Sequence, residues 1–143
     1  MARSEYRVLL VDDSLDDVAL LKRAFSVSEG AHFLEPLSSG QEVIEYFEGH
    51  GPYADRQKYP LPDVLILDLR MPGRSGFEVL EHLRKRGLPM PRRVAILTSA
   101  ARPADILRSY ELGAHFIAHK EADFRPFVQR VDRVMLEDTR APG

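Results

Sequence analysis

The sequence predicts an α/β protein, a doubly wound sheet of five parallel strands with five helices, in a single domain spanning residues 1–143. Three observations carry this. Short, mostly apolar runs too brief for helices lie at residues 6–11, 32–37, 64–67, 94–97 and 115–119. Each run is followed by a segment whose apolar residues recur at helical spacing. Most runs end in charged or hydroxyl side chains, at the strand ends where open α/β sheets bind their ligands.

The first run, YRVLLV, stops at Asp12 and Asp13. Ser14 or Asp13 can cap the helix that follows, whose inner face is Val18, Leu21 and Phe25 and which frays toward Gly30. HFLEPL, at 32–37, reads as a short strand, and Pro36 places it at a sheet edge. Ser38, Ser39 and Gly40 open a second helix, with Val43, Ile44 and Phe47 on one side and its end near Gly49. Residues 51–62, GPYADRQKYPLP, have no clear period and read as an exposed loop, either a partner surface or a tolerated insertion. VLIL, at 64–67, is apolar on both faces and so central. It ends at Asp68 and a loop containing Pro72 and Gly73. Gly76 starts a helix presenting Phe77, Val79, Leu80 and Leu83, stopped at Gly87 before Pro89 and Pro91. VAIL, at 94–97, ends at Thr98 and Ser99. Pro103 suits the first turn of the next helix, whose apolar positions are Ile106, Leu107, Tyr110 and Leu112. The last strand, 115–119, ends at Lys120. Asp123 can cap a final helix with Phe127, Val128, Val131, Val134 and Met135 inward, and the tail TRAPG is expected to fray.

Composition narrows the function classes. Lys plus Arg is 20 and Asp plus Glu is 22, a net charge of −2 without the basic excess that nucleic acid or a membrane surface would select. Cysteine is absent, which removes disulfides, thiol nucleophiles and cysteine metal sites. No stretch approaches the ~20 apolar residues of a membrane span, and the N-terminus has too few apolar residues for a signal peptide, so a cytoplasmic protein is expected. The histidines at 32, 50, 82, 115 and 119 lack metal-ligand spacing on a helix. Arg84, Lys85 and Arg86 read as a solvated helix end that complements the dipole.

Strict alternation brings all strand carboxyl ends to one sheet edge, where Asp12, Asp13, Asp68, Thr98 and Lys120 converge. Each has an ordinary alternative. Asp68 can merely end its strand, Asp13 can cap a helix, Thr98 can be a strand-end hydroxyl and Lys120 a solvated charge. Together they describe a chemistry. Two carboxylates ~4 Å apart at an effective dielectric near ~20 repel by about 4 kcal/mol, so three imply a cation. Oxygen ligands alone suit Mg²⁺ or Mn²⁺. A carboxylate beside such an ion can attack an activated phosphoryl group, with Asp68 as nucleophile and with Thr98 and Lys120 placed to meet the phosphoryl oxygens.

The ordered set VDD at 11–13, LDLRMPGRSG at 67–76, LTS at 97–99 and HK at 119–120 resembles the receiver domain of two-component response regulators, over almost the whole chain. The resemblance implies a flavodoxin-like sheet of order 2-1-3-4-5 and a stand-alone, Mg²⁺-dependent phospho-acceptor with no output domain, one that dephosphorylates slowly instead of turning over substrate. Asp68 matches the acceptor, Asp12 and Asp13 the acidic metal pair, the backbone carbonyl of Arg70 a further metal ligand, Thr98 the switch hydroxyl and Lys120 the active-site lysine. Pro72 and Gly76 match the turn after the acceptor. A sensor histidine kinase is the implied donor. Output would run through protein–protein contact, including homodimers through the fourth helix, fifth strand and fifth helix. The Gly-Pro-Tyr insertion, the SYELGAHF segment and the early chain end resemble single-domain regulators that partner phytochrome-type kinases.

Two positions depart from the family. Ile117 stands where an aromatic switch residue is usual, and Phe116 should face the opposite side of the strand. Glu121 replaces the proline that often follows the lysine, so a cis bond is not expected there. Competing readings are weaker. Aspartyl phosphohydrolases carry a second Asp two residues after the nucleophile, where this chain has Arg70. Neither GxGxxG nor GxxxxGK[ST] follows the first strand, against nucleotide binding. A degenerate receiver serving as a dimerisation platform would not need the intact Asp12, Asp13, Asp68, Thr98 and Lys120.

Overall fold

β1 (Tyr6–Val11), β2 (Ala31–Phe33), β3 (Val64–Leu67), β4 (Arg93–Thr98) and β5 (Phe116–His119) pair in parallel in the order β2-β1-β3-β4-β5, in a computed structural model that describes residues 5–99 and 101–137. The helices α1 (Leu15–Phe25), α2 (Gly40–Glu48), α3 (Gly76–Lys85), α4 (Pro103–Glu111) and α5 (Arg125–Leu136) alternate with them as expected. The period-2 alternation of a strand divides the core between the two faces of the sheet. Leu9, Val11, Leu65, Leu67, Val94 and Ile96 pack with residues of α2 and α3. Val8, Leu10, Ile66, Ala95 and Leu97 pack with residues of α1 and α5 on the other face. Every residue of β3 is fully buried, which is why that run is apolar throughout.

Helix boundaries follow local chemistry. The Ser14, Ser39 and Ser75 hydroxyls cap α1, α2 and α3, accepting from the N–H groups of Asp17, Glu42 and Glu78. Gly49 ends α2 in the left-handed conformation. No helix among the described residues is long and apolar enough to cross a membrane.

Five expectations need correction. α1 ends at Phe25 without reaching toward Gly30, and turns follow it. β2 covers only Ala31–Phe33. Pro36 has no N–H to continue the ladder, although Leu34 and Leu37 still donate to the carbonyls of Val8 and Leu10. β2 lies at the sheet edge, as Pro36 required. The 51–62 segment is exposed on its outer side but folds: a 3-10 helix (Gly51–Ala54) brings Tyr53 against Tyr46 and Tyr59, with ring centroids 5.0 and 5.1 Å apart. Arg56 holds this aromatic cluster by donating to the carbonyls of Phe47 at 3.0 Å and Tyr59 at 3.3 Å. Its aromatic residues, spaced without a period, form a core only when the chain turns back.

α4 buries Asp105 and Ser109, and leaves Leu107 61% and Tyr110 47% exposed. Helical spacing identified an apolar stripe but could not say which face the edge strand β5 would cover. The buried polar pair is satisfied internally, because the Asp105 carboxylate accepts from the Arg102 N–H at 3.1 Å and the Ser109 hydroxyl donates to the Asp105 carbonyl at 2.8 Å. At α5 the cap position is Phe124, with Asp123 one residue earlier accepting from the Arg125 N–H at 3.0 Å. Phe116 packs in the core beneath α5 while Ile117 faces the α2–α3 side, on opposite faces as expected. Among the described residues no peptide bond is cis. The TRAPG tail lies outside the described residues.

Candidate functional site

Register alone assembles the site. Val11 pairs with Leu67, so Asp12 and Asp68, the next residues on adjacent strands, stand side by side. Thr98 pairs with His119, so Lys120 follows directly beside the end of β4. Its backbone N–H is fixed by a 2.8 Å hydrogen bond to the Thr98 carbonyl. One ligand oxygen each from Asp12, Asp13 and Asp68 lies within 4.8 Å of the other two. Asp12 and Asp68 are buried and Asp13 is exposed. The three acids and Lys120 stand together, and Thr98 ends the neighbouring strand β4 beside Lys120.

The Lys120 ammonium is the counter-charge within this cluster. Its Nζ lies 2.8 Å from Asp12 Oδ2, 2.8 Å from Asp17 Oδ2 and 3.1 Å from Asp68 Oδ2. Burial alone would pull the Lys120 pKa down, but the hydrogen bonds to Asp12, Asp17 and Asp68 outweigh it and hold the group charged, above its ordinary range. Burial raises the pKa of Asp12, and the hydrogen bonds from Lys120 and the Ser14 N–H offset only part of that. Three carboxylate oxygens with no sulfur or imidazole among them are a donor set for a hard divalent cation.

Asp68 is held from several sides. The Asp68 N–H donates to the Val11 carbonyl at 3.1 Å, and Asp68 Oδ1 accepts from the Arg70 N–H at 3.0 Å. Gly76 lets the loop close. A Cβ there would stand 2.6 Å from the Asp68 carbonyl oxygen and 3.0 Å from Leu69 Cα, so any side chain would displace the strand end. The Thr98 hydroxyl is fully buried and has no hydrogen-bond partner among the described residues. A buried hydroxyl without a partner is costly, and it is suited to an oxygen that arrives only with a ligand.

Two site residues escaped sequence reading. Asp17 looked like an ordinary acid in the first turn of α1, and its spacing of four from Asp13 was the available signal. Asp105 carries no motif or spacing signal; it is buried and accepts from the Arg70 guanidinium at 2.9 Å. The backbone hydrogen bond from Arg102, then the Arg102 and Arg70 charges, lower its pKa. A groove of about 500 Å³ lies beside this pair, lined in part by Arg70, Met71, Phe77, Arg102 and Arg108, and none of the clustered acids lines it. The clustered acids therefore lie outside this groove.

Comparison with known proteins agrees with this geometry. Residues 8–132 match the family described as the response regulator receiver domain. Response regulator Rcp1 of Synechocystis is 28% identical over 139 residues, covering 95% of this chain and 92% of its own. The crystal structure of the Mn²⁺-bound form of Rcp1 superposes with a TM-score of 0.78 at 25% identity, covering 96% of this chain and 99% of that one. Response regulator RPA3017, in red light signaling of R. palustris, superposes at 0.79 with 24% identity and 96% of each chain covered. The match over most of its length, on a sheet of this order with these acids at its strand ends, shows that the chain belongs to the response regulator receiver domain family.

Proposed function

We propose that the chain is a receiver that accepts a phosphoryl group on Asp68 from a histidine kinase and passes the change on by protein–protein contact. The observation that carries this is the fully buried, unpartnered Thr98 hydroxyl at the same sheet edge as an Asp68 already held by Lys120. A carboxylate oxygen of Asp68 attacks phosphorus, the new O–P bond forms as the donor's P–N bond breaks, and the bonding pair leaves with the imidazole. Charge developing on the phosphoryl oxygens meets the Lys120 ammonium, and the Thr98 hydroxyl supplies a hydrogen bond that has no other use.

Asp12, Asp13 and Asp68 would hold Mg²⁺ or Mn²⁺, with the backbone carbonyl of Arg70 as the further ligand that the family resemblance implies, and the ion when bound neutralises carboxylate and phosphoryl charge. Oxygen-only ligands, with Asp12 and Asp68 buried beside one another, fit a cation at this position. A phosphohydrolase reading is disfavoured, because Arg70 stands where a second acid would be needed and its side chain is turned to Asp105.

Likeness to the phosphorylated cyanobacterial phytochrome response regulator RcpA, whose crystal structure superposes with a TM-score of 0.76 at 24% identity over 97% of this chain and 99% of that one, supports a phytochrome-type kinase as donor. The exposed Leu107 and Tyr110 of α4 support a homodimer through α4, β5 and α5. The test of the central claim is labelling by a small acyl-phosphate donor with Mg²⁺. Wild type should label and Asp68→Asn should not, and equal labelling of the two would remove Asp68 from the role.

A further inference from the structure

The Lys120 ammonium has three protons and three carboxylate partners, Asp12, Asp17 and Asp68. Two of these belong to the cluster that would hold a divalent cation, and Asp17 does not. A cation drawing on Asp12 and Asp68 competes with Lys120 for the same oxygens. Phosphorylation then turns the Asp68 carboxylate into an acyl phosphate, whose negative charge sits on the phosphoryl oxygens beyond it. In both events Lys120 gives up its resting contacts to Asp12 and Asp68 as its charge is needed elsewhere at the site. A lysine is a compact ammonium on a flexible four-carbon stem, so without a tether it samples positions away from the acceptor.

We propose that Asp17 is a positioning residue for phosphoryl transfer: it keeps the Lys120 ammonium at the edge of the acceptor while Asp12 and Asp68 are otherwise engaged. This rests on the reading of Asp68 as acceptor and of the acidic cluster as a cation site. Asp17 forms no bond to phosphorus and exchanges no proton. Its contribution is geometric and electrostatic.

The placement of Asp17 suits the task. It lies in the first turn of α1, where the Ser14 hydroxyl accepts from its N–H at 3.3 Å and the positive end of the helix dipole favours a carboxylate. Leu21 and Phe25, both buried against the sheet, fix the helix on which it rides. It therefore reaches Lys120 from a rigid element, while Lys120 follows an edge strand. Its side chain is 26% exposed, against 2% for Asp12, so it stands at the rim of the cluster and outside the group of acids that would hold a cation.

The test is a double-mutant cycle on the rate of labelling by acetyl phosphate at saturating Mg²⁺, using Asp17→Asn, Lys120→Met and the double variant. Asp17→Asn should slow labelling by about tenfold, in the range seen when a supporting partner of a reactive group is removed. Asp17→Asn should add nothing in the Lys120→Met background, since a residue acting through Lys120 has nothing to act on there. Asp17→Glu should recover most of the rate. The metal-free protein offers a separate readout: nitrogen-15 NMR of the lysine ammonium groups should show faster proton exchange at Lys120 in Asp17→Asn. Wild-type labelling of Asp17→Asn, equal slowing in both backgrounds, or unchanged Lys120 exchange would each overturn the inference. Labelling of Asp68→Asn would instead overturn the acceptor reading beneath it, so the two failures are distinguishable.

Discussion

The Arg70 guanidinium donates to Asp105 Oδ2 at 2.9 Å, tying the loop that follows Asp68 to the first turn of α4. The same carboxylate oxygen accepts from the Arg102 N–H, so one buried acid both caps the helix and holds the loop after Asp68. The link runs from the site toward the exposed face of α4, in a chain where Ile117 occupies the usual aromatic position. Asp105→Asn keeps the shape and removes the charge. Amide exchange at Arg102 and Ile106 should then rise several-fold with α3 unaffected, as measured by hydrogen exchange. The folded-state pKa of Asp105 is depressed, so its contribution is present above the ordinary carboxylate value of 3.8 and is lost as pH falls through the lowered one.

Thr98→Val should leave the unphosphorylated protein at least as stable as wild type, within about 1 kcal/mol in chemical denaturation, because the hydroxyl it removes is buried and unpartnered. The same change should shift the equilibrium between unphosphorylated and phosphorylated forms away from the latter. Equal effects on both forms would deny the hydroxyl a phosphoryl partner.

Lys120→Met leaves Asp12, Asp17 and Asp68 facing one another without their shared cation. Breaking a buried pair in this way costs about 3–5 kcal/mol, so the melting temperature in a chelator should fall by many degrees. Added Mg²⁺ should restore more stability to this variant than to wild type, since the ion no longer competes with an ammonium. Thermal melts across a Mg²⁺ titration measure both effects.

Gly76→Ala should destabilise by about 1–3 kcal/mol and slow labelling of Asp68, because its Cβ would press on the backbone carbonyl of the acceptor itself. Substitution at Gly73, with no atom near its Cβ, should spare the position of Asp68 although its φ of 75° still strains a side chain. Labelling rates of the two variants separate contact from conformational strain.

Tyr46 donates its hydroxyl to the Pro60 carbonyl at 2.6 Å and is buried beneath the 51–62 segment, which pushes its pKa from 10.0 up to about 12. A raised pKa means that its contribution is complete below the unfolded value and is lost as pH rises through the folded one. Absorbance titration at alkaline pH should show a tyrosine step near pH 12 that Tyr46→Phe removes, with about 1 kcal/mol of stability lost at neutral pH.

What the sequence determined by itself is the sheet and the charged cluster at its edge. The apolar runs ending at Asp12, Asp68, Thr98 and Lys120 specify parallel strands whose ends share an edge, because strict alternation allows little else. The motif residues needed no side-chain detail, since strand register carries them together. Tertiary structure decided what periodicity cannot express: which partner covers a helix face and which distant group completes a charge balance. Leu107 and Tyr110 had the spacing of a core face, yet β5 at the sheet edge leaves them exposed while Asp105 and Ser109 turn inward. The tyrosines of the 51–62 segment pack only after that chain turns back over Tyr46. Asp17 gains its meaning only when β5 delivers Lys120 to within 2.8 Å across a separation of 103 residues. Strand and helix periods are local, whereas ion pairing depends on distances that exist only after folding.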